Sequence, residues 1–448
     1  MSSRSEAITC EFCIALQVRV LYCITGASSL VLKPKTTDDV SRIMAHCDKR
    51  HLAVVPQGGN TGLVGGSVPV FDEVVLSTAL MNKILDLDEI SGVVTCQAGC
   101  ILETLDDHVA ERGLAMPLDL GAKASCHIGG NVSTSAGGLR LIRYGSLHGS
   151  VLGLEAVLAS GEVLDCMSGM RKDNTGYDLK QLLIGSEGTL GVVTKVAILC
   201  PSRPAAVNVA LLACNSFADV LKTLQKGKAM LSEILSAFEL IDSASMMAVE
   251  KYLHLRNPLS SGEFYCLIET SGSHAGHDEE KLTAFLDSVM EEGSVCDGTV
   301  AQGITQQKDL WALRERVAEA LLREGYTYKY DVSLPTRHFY DIVVDMRRHL
   351  AGAAVLGCYG YGHVGDGNVH LNVTTRQYDA DVGHRIEPYV FEWVRGRHGS
   401  ISAEHGLGFK KRDFIHYSKA ASAVAWMKRF KTLMDPNGIL NPYKTLPE

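Results

Sequence analysis

The chain has 448 residues, of which 46% are hydrophobic and 21% are charged, a composition typical of a globular protein with a sizeable core. Its formal net charge of −8, without a Lys/Arg-dense run, excludes the electrostatic footprint of a nucleic-acid-binding protein. No segment reaches ~18 continuous apolar residues, so the sequence predicts no membrane span.

Residues 1–28 form an atypical N-terminal segment. It is rich in serine and contains Arg4 and Arg19, but its glutamates are unusual for a transit peptide. Cys10 and Cys13 match C-x-x-C. Because no second pair follows at zinc-ribbon spacing, a metal or redox role is only the minor alternative. The thirteen cysteines are otherwise scattered, which predicts reduced, mostly buried thiols.

Residues 29–203 are predicted to form one α+β domain. It opens with a strand, an amphipathic helix over 36–47 and a second, buried strand at 52–56. In that helix Val40, Ile43, Met44 and Cys47 lie at helical spacing. A further helix is predicted over 101–112, ending before Gly113. Further strands are predicted over 73–77, 92–96, 151–158 and 190–199.

A second α+β domain is predicted over 204–400. Its strands are expected over 207–214, 263–269 and 328–332, and its helices over 217–230, 279–292 and 311–323. The segment 401–448 returns to helical and turn signals and is expected to pack back on the first domain.

Two glycine-rich segments lie in the first domain. In 56–63 successive glycines with Asn60 and Thr61 expose backbone N–H groups, which favours either an anion-binding nest or a tight multi-turn loop. The segment 117–145 has about thirty residues with mostly small side chains, and a structureless loop of that length is usually functional. Its composition suits backbone wrapped along an extended ligand.

The stretch 360–372, GYGHVGDGNVHLN, contains a formal match to the dinucleotide fingerprint G-x-G-x-x-G. That fingerprint must open a helix, whereas the residues after it alternate as in a strand, so the match is a coincidence. The alternation places His370 and Asn372 on one face, and the glycine turn lets His363 approach them. His363, His370 and Glu404 form a two-His, one-carboxylate set that can hold Fe(II) or Zn(II). The alternative is that the two histidines are structural.

The segments 56–63, 117–145 and 171–191 resemble the FAD-binding domain of the vanillyl-alcohol-oxidase type. The stretches 361–372 and 402–408 are similar to the D-2-hydroxyacid dehydrogenase branch of that family, as are 126–131, 143–149, 311–316 and 328–331. The resemblance implies an α+β fold in which the FAD-binding domain is followed by a second α+β, substrate-binding domain and a C-terminal helical segment.

The resemblance also implies how FAD is held. The first loop would hold the diphosphate, and the second would pass along the ribityl chain and the isoalloxazine. Several relatives attach FAD through a histidine of the first loop; Asn60 stands at that place here, which implies non-covalent FAD. Glu187 and Gly188 would lie near the adenine. The residues assigned to FAD are Gly58, Gly59, Asn60, Thr61, Gly62, Leu118, Gly121, Ser125, Gly129, Gly130, Thr134, Gly137, Gly138, Tyr144, Glu187, Gly188 and Asn441.

The implied reaction is the oxidation of a D-2-hydroxy acid, with D-2-hydroxyglutarate as the first choice of substrate. His363, His370 and Glu404 would hold a divalent metal. Zinc is the first choice, and manganese or cobalt the alternatives, because a flavin already supplies the redox chemistry. His405 would act as general base in contact with the substrate, a role that suits imidazole near neutral pH.

The remaining substrate contacts are also implied by the resemblance. Asn372 would orient the substrate, and Arg314 with Lys329 would bind its second carboxylate. Some relatives carry a threonine one helical turn after the arginine. Ala318 stands at that position here, so one hydrogen bond to the distal carboxylate is expected to be missing.

Electron-transfer flavoprotein is the implied electron acceptor, and the mitochondrial matrix the implied location. Three alternatives stay open from the sequence. The first is a D-lactate dehydrogenase on the same scaffold, which needs no clamp for a distal carboxylate. The second is a metal-dependent hydrolase with merely structural glycine loops. The third is a non-catalytic flavin-binding subunit. The argument against it is the presence of a complete set of candidate catalytic and metal-binding residues, His363, His370, Glu404 and His405.

Overall fold

The computed structural model describes residues 27–260 and 262–448. Cys10, Cys13 and almost all of the predicted N-terminal segment lie outside these residues. The described chain contains three β-sheets with helices packed around them, which confirms the predicted mixture of helix and sheet. No helix in the described ranges is both long and apolar enough to cross a membrane.

The first sheet has three parallel strands in the order β1-β3-β2. Helix α1 (Thr37–Lys49) connects its first two strands, and it begins where Thr36 and Asp39 form a reciprocal capping box. Its apolar stripe buries Val40, Met44 and Cys47. The strands are β1 (Val31–Leu32), β2 (Val54–Gln57) and β3 (Val74–Ser77). Strand β2 therefore ends where the first glycine loop begins.

The second sheet is antiparallel and has the order β4-β5-β8-β6-β7. Strand β6 is buried along its whole length, because a core of Val, Leu and Ile side chains covers it. The strands are β4 (Ile84–Asp88), β5 (Val93–Gln97), β6 (Val151–Val157), β7 (Val163–Cys166) and β8 (Val192–Leu199). The helices that accompany these two sheets are α2 (Leu102–Ala110), α3 (Ile128–Thr134), α4 (Leu141–Tyr144), α5 (Leu147–Ser150) and α6 (Lys180–Leu183).

The third sheet has seven antiparallel strands in the order β12-β9-β11-β10-β14-β15-β13. The strands are β9 (Ala206–Cys214), β10 (Leu235–Asp242), β11 (Phe264–Gly272), β12 (Asp297–Val300), β13 (Tyr326–Ser333), β14 (Gly357–His363) and β15 (Asn368–Thr375). Apolar cores cover the sheet on both faces. Its central strands β10, β14 and β15 supply the buried polar residues of the site described below.

Nine helices are described after β9. They are α7 (Phe217–Met230), α8 (Ser243–Leu253), α9 (Ala275–Glu291), α10 (Ile304–Glu315), α11 (Val317–Glu324), α12 (Asp341–His349), α13 (Ala380–Ile386), α14 (Tyr389–Arg395) and α15 (Ala421–Met434). Short 3-10 turns lie at Thr78–Leu80, Thr336–His338 and Arg412–Tyr417.

Two predicted elements are wrong in detail. The single helix expected over 311–323 begins earlier, at Ile304, and is interrupted at Arg316, whose backbone (φ −93°, ψ 8°) leaves the helical region. The second glycine-rich segment is also not a structureless loop. Helices α3 and α4 lie inside it, and the absence of a side chain at Gly129 lets α3 pack closely on Ala98, which a Cβ atom would approach to 2.5 Å.

The C-terminal residues lie against the first sheet. The backbone N–H of Val54 donates to Ile439 O, and that of Asn441 donates to Val54 O, both at 2.8 Å. Lys431 Nζ donates to Thr189 O at 2.9 Å, and the backbone N–H of Phe409 donates to Val64 O at 3.0 Å. The chain thus returns from the third sheet to the first glycine loop. The exact domain boundaries stay a prediction.

Candidate active site

A cleft lies between the two glycine-rich segments. A Cβ atom on Gly59 would lie 1.9 Å from Ser125 O, so only glycine lets the two segments touch. Of the residues assigned to FAD, those lining this cleft are Gly58, Gly59, Asn60, Thr61, Gly62, Gly129, Gly130, Thr134, Glu187 and Gly188.

The walls of this cleft suit an extended, partly anionic ligand. At Gly62 and at Gly130 nothing lies within 4 Å of a built Cβ atom, so both backbones are open to the cleft. Asn131 is buried, and its Oδ1 has no hydrogen-bond partner among the described residues. Open glycine backbone and a buried unpaired amide oxygen are what a dinucleotide with a diphosphate and a ribityl chain requires. The residues present therefore fit FAD.

The other residues assigned to FAD lie elsewhere. Leu118 and Tyr144 line a separate cleft near Arg203, and Gly121 and Gly138 line the adjoining cleft described below. The side chain of Asn441 is buried beneath the first loop, where its Nδ2 donates to Gly66 O and to Glu187 O.

Glu187 lines the first cleft and contacts the C-terminal segment. Its carboxylate accepts the backbone N–H groups of Leu407 and Gly408, at 2.8 and 2.7 Å. Burial raises its pKa, although these hydrogen bonds oppose the shift. The side chain is therefore engaged with protein backbone while it lines the cleft.

A second cleft adjoins the first and contains the predicted metal ligands. His363 ends β14, His370 lies in β15, and Glu404 follows the third sheet. His363 Nε2 lies 3.3 Å from His370 Nε2 and 3.8 Å from Glu404 Oε1. One ligand atom from each residue falls within 4.8 Å of the others. Two imidazoles and a carboxylate at these distances are a donor set that fits a divalent metal.

Burial and neighbouring charges shift the pKa values of these three residues. Burial lowers the pKa of His363, but the Glu239 carboxylate, 2.8 Å from its Nδ1, raises it to about 10. Burial and the nearby His363 lower the pKa of His370 to about 3. Burial raises the pKa of Glu404, but the hydrogen bond and the charge of His363 together outweigh burial and bring the pKa to about 2. At neutral pH these pKa values make Glu404 anionic, His370 neutral and His363 protonated, so a metal that binds Nε2 of His363 would displace its proton.

The second glycine-rich segment touches this cluster. The backbone N–H of Gly138 donates to Glu404 Oε2 at 3.0 Å, and a Cβ on Gly137 would lie 3.3 Å from the same oxygen. Gly137 and Gly138 were assigned to FAD from the resemblance. In the structure both lie beside Glu404, and Gly138 lines the second cleft.

Asp331, in β13, organises the segment that carries Glu404 and His405. Its Oδ2 accepts three backbone N–H groups, those of Ala403, Glu404 and His405, at 3.1, 3.0 and 3.1 Å. The same carboxylate lies 3.6 Å from Nδ1 of His405 and, through Oδ1, 3.6 Å from Nδ1 of His370. Burial raises the pKa of Asp331, but the surrounding positive groups and hydrogen bonds hold it well below its usual range. Sequence reasoning missed this residue.

The predicted substrate-binding residues line the second cleft together. They are Arg314, Lys329, Asn372 and His405, and Ala318 lies beside them. Arg314 is 5% exposed and lies 2.8 Å from Glu239 Oε2. Burial lowers the pKa of Lys329 to about 8. Among the described residues, neither Nε of Arg314 nor Oδ1 of Asn372 has a hydrogen-bond partner, so the cleft offers a buried donor and a buried acceptor to a ligand.

Glu239 is the second residue that sequence reasoning missed. It lies in β10, a strand that is buried throughout, and it contacts both His363 and Arg314. The available signal was an acidic residue inside the mostly apolar run 235–241, LSAFELI. Charged residues are rarely buried unless they are paired.

Two family descriptions match the chain. "FAD binding domain" covers residues 28–167, and "FAD linked oxidases, C-terminal domain" covers residues 203–445. A mitochondrial D-2-hydroxyglutarate dehydrogenase of Danio rerio is 63% identical over 425 residues, which are 95% of this chain and 80% of that protein. The chain belongs to the D-2-hydroxyglutarate dehydrogenase family of FAD-linked oxidases. It is therefore an FAD-dependent oxidoreductase of the D-2-hydroxyacid dehydrogenase branch, as predicted.

Two further similarities bear on the site and on the fold. A putative mitochondrial D-lactate dehydrogenase of Schizosaccharomyces pombe is 52% identical, over 94% of this chain and 82% of that protein. The structure of 4-ethylphenol oxidase from Gulosibacter chungangensis superposes with a TM-score of 0.71 at 19% identity, over 95% of this chain and 90% of that one. The second similarity confirms the predicted vanillyl-alcohol-oxidase-type fold.

Proposed function

We propose that this protein oxidises D-2-hydroxyglutarate to 2-oxoglutarate, using non-covalent FAD and a divalent metal. The observation that carries the proposal is that His405 lines both clefts, the one that fits FAD and the one that holds the metal-type donor set. A substrate bound between Arg314 and His370 would therefore lie beside the flavin. The first of the sequence alternatives, a D-lactate dehydrogenase, remains the second candidate.

The two implied groups supply different chemistry: FAD, when bound, accepts a hydride, and a divalent metal, when bound, acts as a Lewis acid. His363, His370 and Glu404 would hold the metal. The Nδ1 of His363 faces Glu239, which leaves Nε2 as the ligating atom. Zinc is our first choice, since it is inert to redox change and accepts nitrogen and oxygen ligands. Asn60 stands where covalent relatives carry a histidine, which supports non-covalent FAD.

The chain's own residues would bind and deprotonate the substrate. His405 would take the proton of the C2 hydroxyl, and Asp331, 3.6 Å from its Nδ1, would favour the imidazolium that results. Asn372 would orient the substrate through its unpaired Oδ1, an acceptor for a hydroxyl group. The burial of Asp331 and Asn372 keeps water from competing for their hydrogen bonds.

Arg314 and Lys329 would bind the distal carboxylate of a dicarboxylic acid. Both line the same cleft, and the buried guanidinium can offer Nε to a carboxylate. Lactate has no second carboxylate, so these cations favour hydroxyglutarate. Ala318, which supplies no hydroxyl group, and the 52% identity to a protein named as a putative D-lactate dehydrogenase keep lactate as the second candidate.

The decisive comparison is turnover of D-2-hydroxyglutarate, L-2-hydroxyglutarate and D-lactate with an artificial electron acceptor. We expect kcat/KM to be highest for D-2-hydroxyglutarate. At saturating zinc, Arg314→Met should reduce it by ~10²-fold relative to kcat/KM for D-lactate, because a buried charge-assisted contact stabilises by ~1.5–3 kcal/mol. Arg323→Met, on the exposed side of α11, is the matched control. A preference for D-lactate in the wild type would make the second candidate correct.

Electron-transfer flavoprotein is the proposed acceptor, and the mitochondrion the proposed location. Both rest on the family, and the mitochondrial location also agrees with the names of relatives such as that of Danio rerio. The test is the reoxidation of substrate-reduced enzyme by purified electron-transfer flavoprotein. Reoxidation at a rate that saturates with electron-transfer flavoprotein supports it as the acceptor. Reoxidation by dioxygen or pyruvate alone would make that compound the acceptor instead.

A further inference from the structure

Glu239 contacts two residues of the second cleft, His363 and Arg314, but lines neither cleft itself. It is 1% exposed and comes from the middle of β10, so water does not solvate its charge. Its Oε1 faces Nδ1 of His363 at 2.8 Å, and its Oε2 lies 2.8 Å from a terminal nitrogen of Arg314. A buried carboxylate is tolerated only when such partners compensate it, so each partner is needed.

The two partners belong to different tasks. His363 is one of the three metal-type ligands, while Arg314 is the buried cation proposed for the distal carboxylate. Glu239 accepts the Nδ1–H of His363 and orients the ring so that Nε2 faces His370 and Glu404. The contact with Arg314 is an ion pair in which Oε2 and the terminal nitrogen lie 2.8 Å apart without hydrogen-bond geometry, and Nε of the guanidinium also has no hydrogen-bond partner among the described residues. Glu239 therefore orients one residue from each half of the site.

We propose that Glu239 is a positioning residue that couples metal affinity to recognition of the substrate's distal carboxylate. The proposal rests on the proposed function, since it assigns both tasks to the same carboxylate. The coupling has a physical cause: one rigid, buried side chain restrains both partners, and Arg314 is further restrained by Tyr361, whose ring centroid lies 5.1 Å from the guanidinium carbon. Neither His363 nor Arg314 can therefore shift without disturbing the other.

The test compares Glu239→Gln with Asp242→Asn. Asp242 is a matched control: it lies in the same strand, is also 1% exposed, and pairs with Arg347 at 2.8 Å without lining either cleft. The first readout is the zinc dissociation constant, measured by competition with a chelator dye. We expect a ~10–100-fold weaker constant in Glu239→Gln, the range usual for partners of ligating histidines, and a wild-type constant in Asp242→Asn.

The second readout is the ratio of KM values for D-2-hydroxyglutarate and D-lactate at saturating zinc. An amide cannot accept from His363 and also pair with Arg314, so the ratio should rise about tenfold in Glu239→Gln, a loss of about 1.4 kcal/mol in selective binding. In a double-mutant cycle, adding Glu239→Gln to Arg314→Met should not change the ratio further, although it should still weaken zinc binding.

Wild-type values of the zinc constant or of the KM ratio in folded Glu239→Gln would overturn the coupling. If that variant does not fold, Glu239→Asp keeps the buried charge but is too short to reach both partners, and the same two results are expected of it. Wild-type behaviour of Glu239→Asp in both readouts would likewise overturn the coupling. A wild-type protein that binds no zinc or does not turn over D-2-hydroxyglutarate would instead refute the proposed function, so the two failures are distinguishable.

Discussion

Asp331→Asn should both destabilise the protein and slow its chemistry. The carboxylate accepts the backbone N–H groups of residues 403, 404 and 405 through one oxygen, and the side-chain amide of Asn368, at 2.7 Å, through the other. An asparagine offers only one acceptor oxygen. Whichever way its amide points, an N–H group then faces another donor.

The expected loss can be worked from these contacts. Hydrogen bonds to a charged group contribute ~1.5–3 kcal/mol and neutral ones ~0.5–1.5 kcal/mol, so neutralising Asp331 should weaken each of the three backbone contacts by about 1 kcal/mol. The sum is about 3 kcal/mol, or roughly 6–12 °C in Tm for a domain of this size. A displacement of Glu404 and His405 by ~1 Å should also slow flavin reduction by ~10²-fold.

Differential scanning calorimetry and anaerobic stopped-flow reduction measure the two effects. Asp242→Asn again serves as the control, because Asp242 also accepts backbone N–H groups while buried, but holds no residue of the site. It should lose stability yet retain the wild-type reduction rate. If Asp331→Asn matched the wild type in reduction rate, the positioning of residues 403–405 by this carboxylate would be refuted.

Three further outcomes follow from the site. Because burial lowers the pKa of Lys329 to about 8, kcat/KM for D-2-hydroxyglutarate should fall as pH rises through 8, where the ammonium loses its proton. Lys329→Met should remove this decrease from the pH profile. A decrease near pH 8 that persists in the variant would contradict the role of Lys329 in binding the distal carboxylate. Gly59→Ala, whose Cβ would lie 1.9 Å from Ser125 O, should purify without FAD, while Gly303→Ala, with open space around it, should retain FAD. His405→Ala should bind FAD and zinc normally but reduce flavin ~10²–10⁴-fold more slowly, and wild-type reduction would exclude it as the base.

Local sequence pattern was sufficient to predict many of the helices and strands. The helix predicted over 217–230 has those bounds in the structure, because Ser216 caps it and Val220, Leu224 and Gly227 form its buried stripe. The interruption at Arg316 was not predictable in this way. Neither Gly nor Pro marks it, and tertiary packing of α10 and α11 on different neighbours produces it.

Some residues of the site were likewise predictable from local sequence pattern, and others were not. His370 and Asn372 were predictable as one face of a strand, since their spacing is local. Glu239 and Asp331 were not, because their partners lie 124 and 72–74 residues away along the chain. Strand β10 also has no alternation to indicate which face is polar, since all eight residues are buried. Sheet order, which brings β10 beside β14, decides that His363 has a carboxylate partner.

The central claim is that the flavin and the His363, His370, Glu404 set act on one substrate. Anaerobic single-turnover reduction by D-2-hydroxyglutarate tests it most directly, recorded as loss of the flavin absorbance band in untreated, chelator-stripped and zinc-reloaded protein. We predict rapid bleaching, a ~10²-fold or greater slowing after stripping, and recovery with zinc, since Lewis-acid stabilisation contributes several kcal/mol. Bleaching at an unchanged rate in fully stripped protein, or no bleaching in the metal-loaded protein, would contradict the claim.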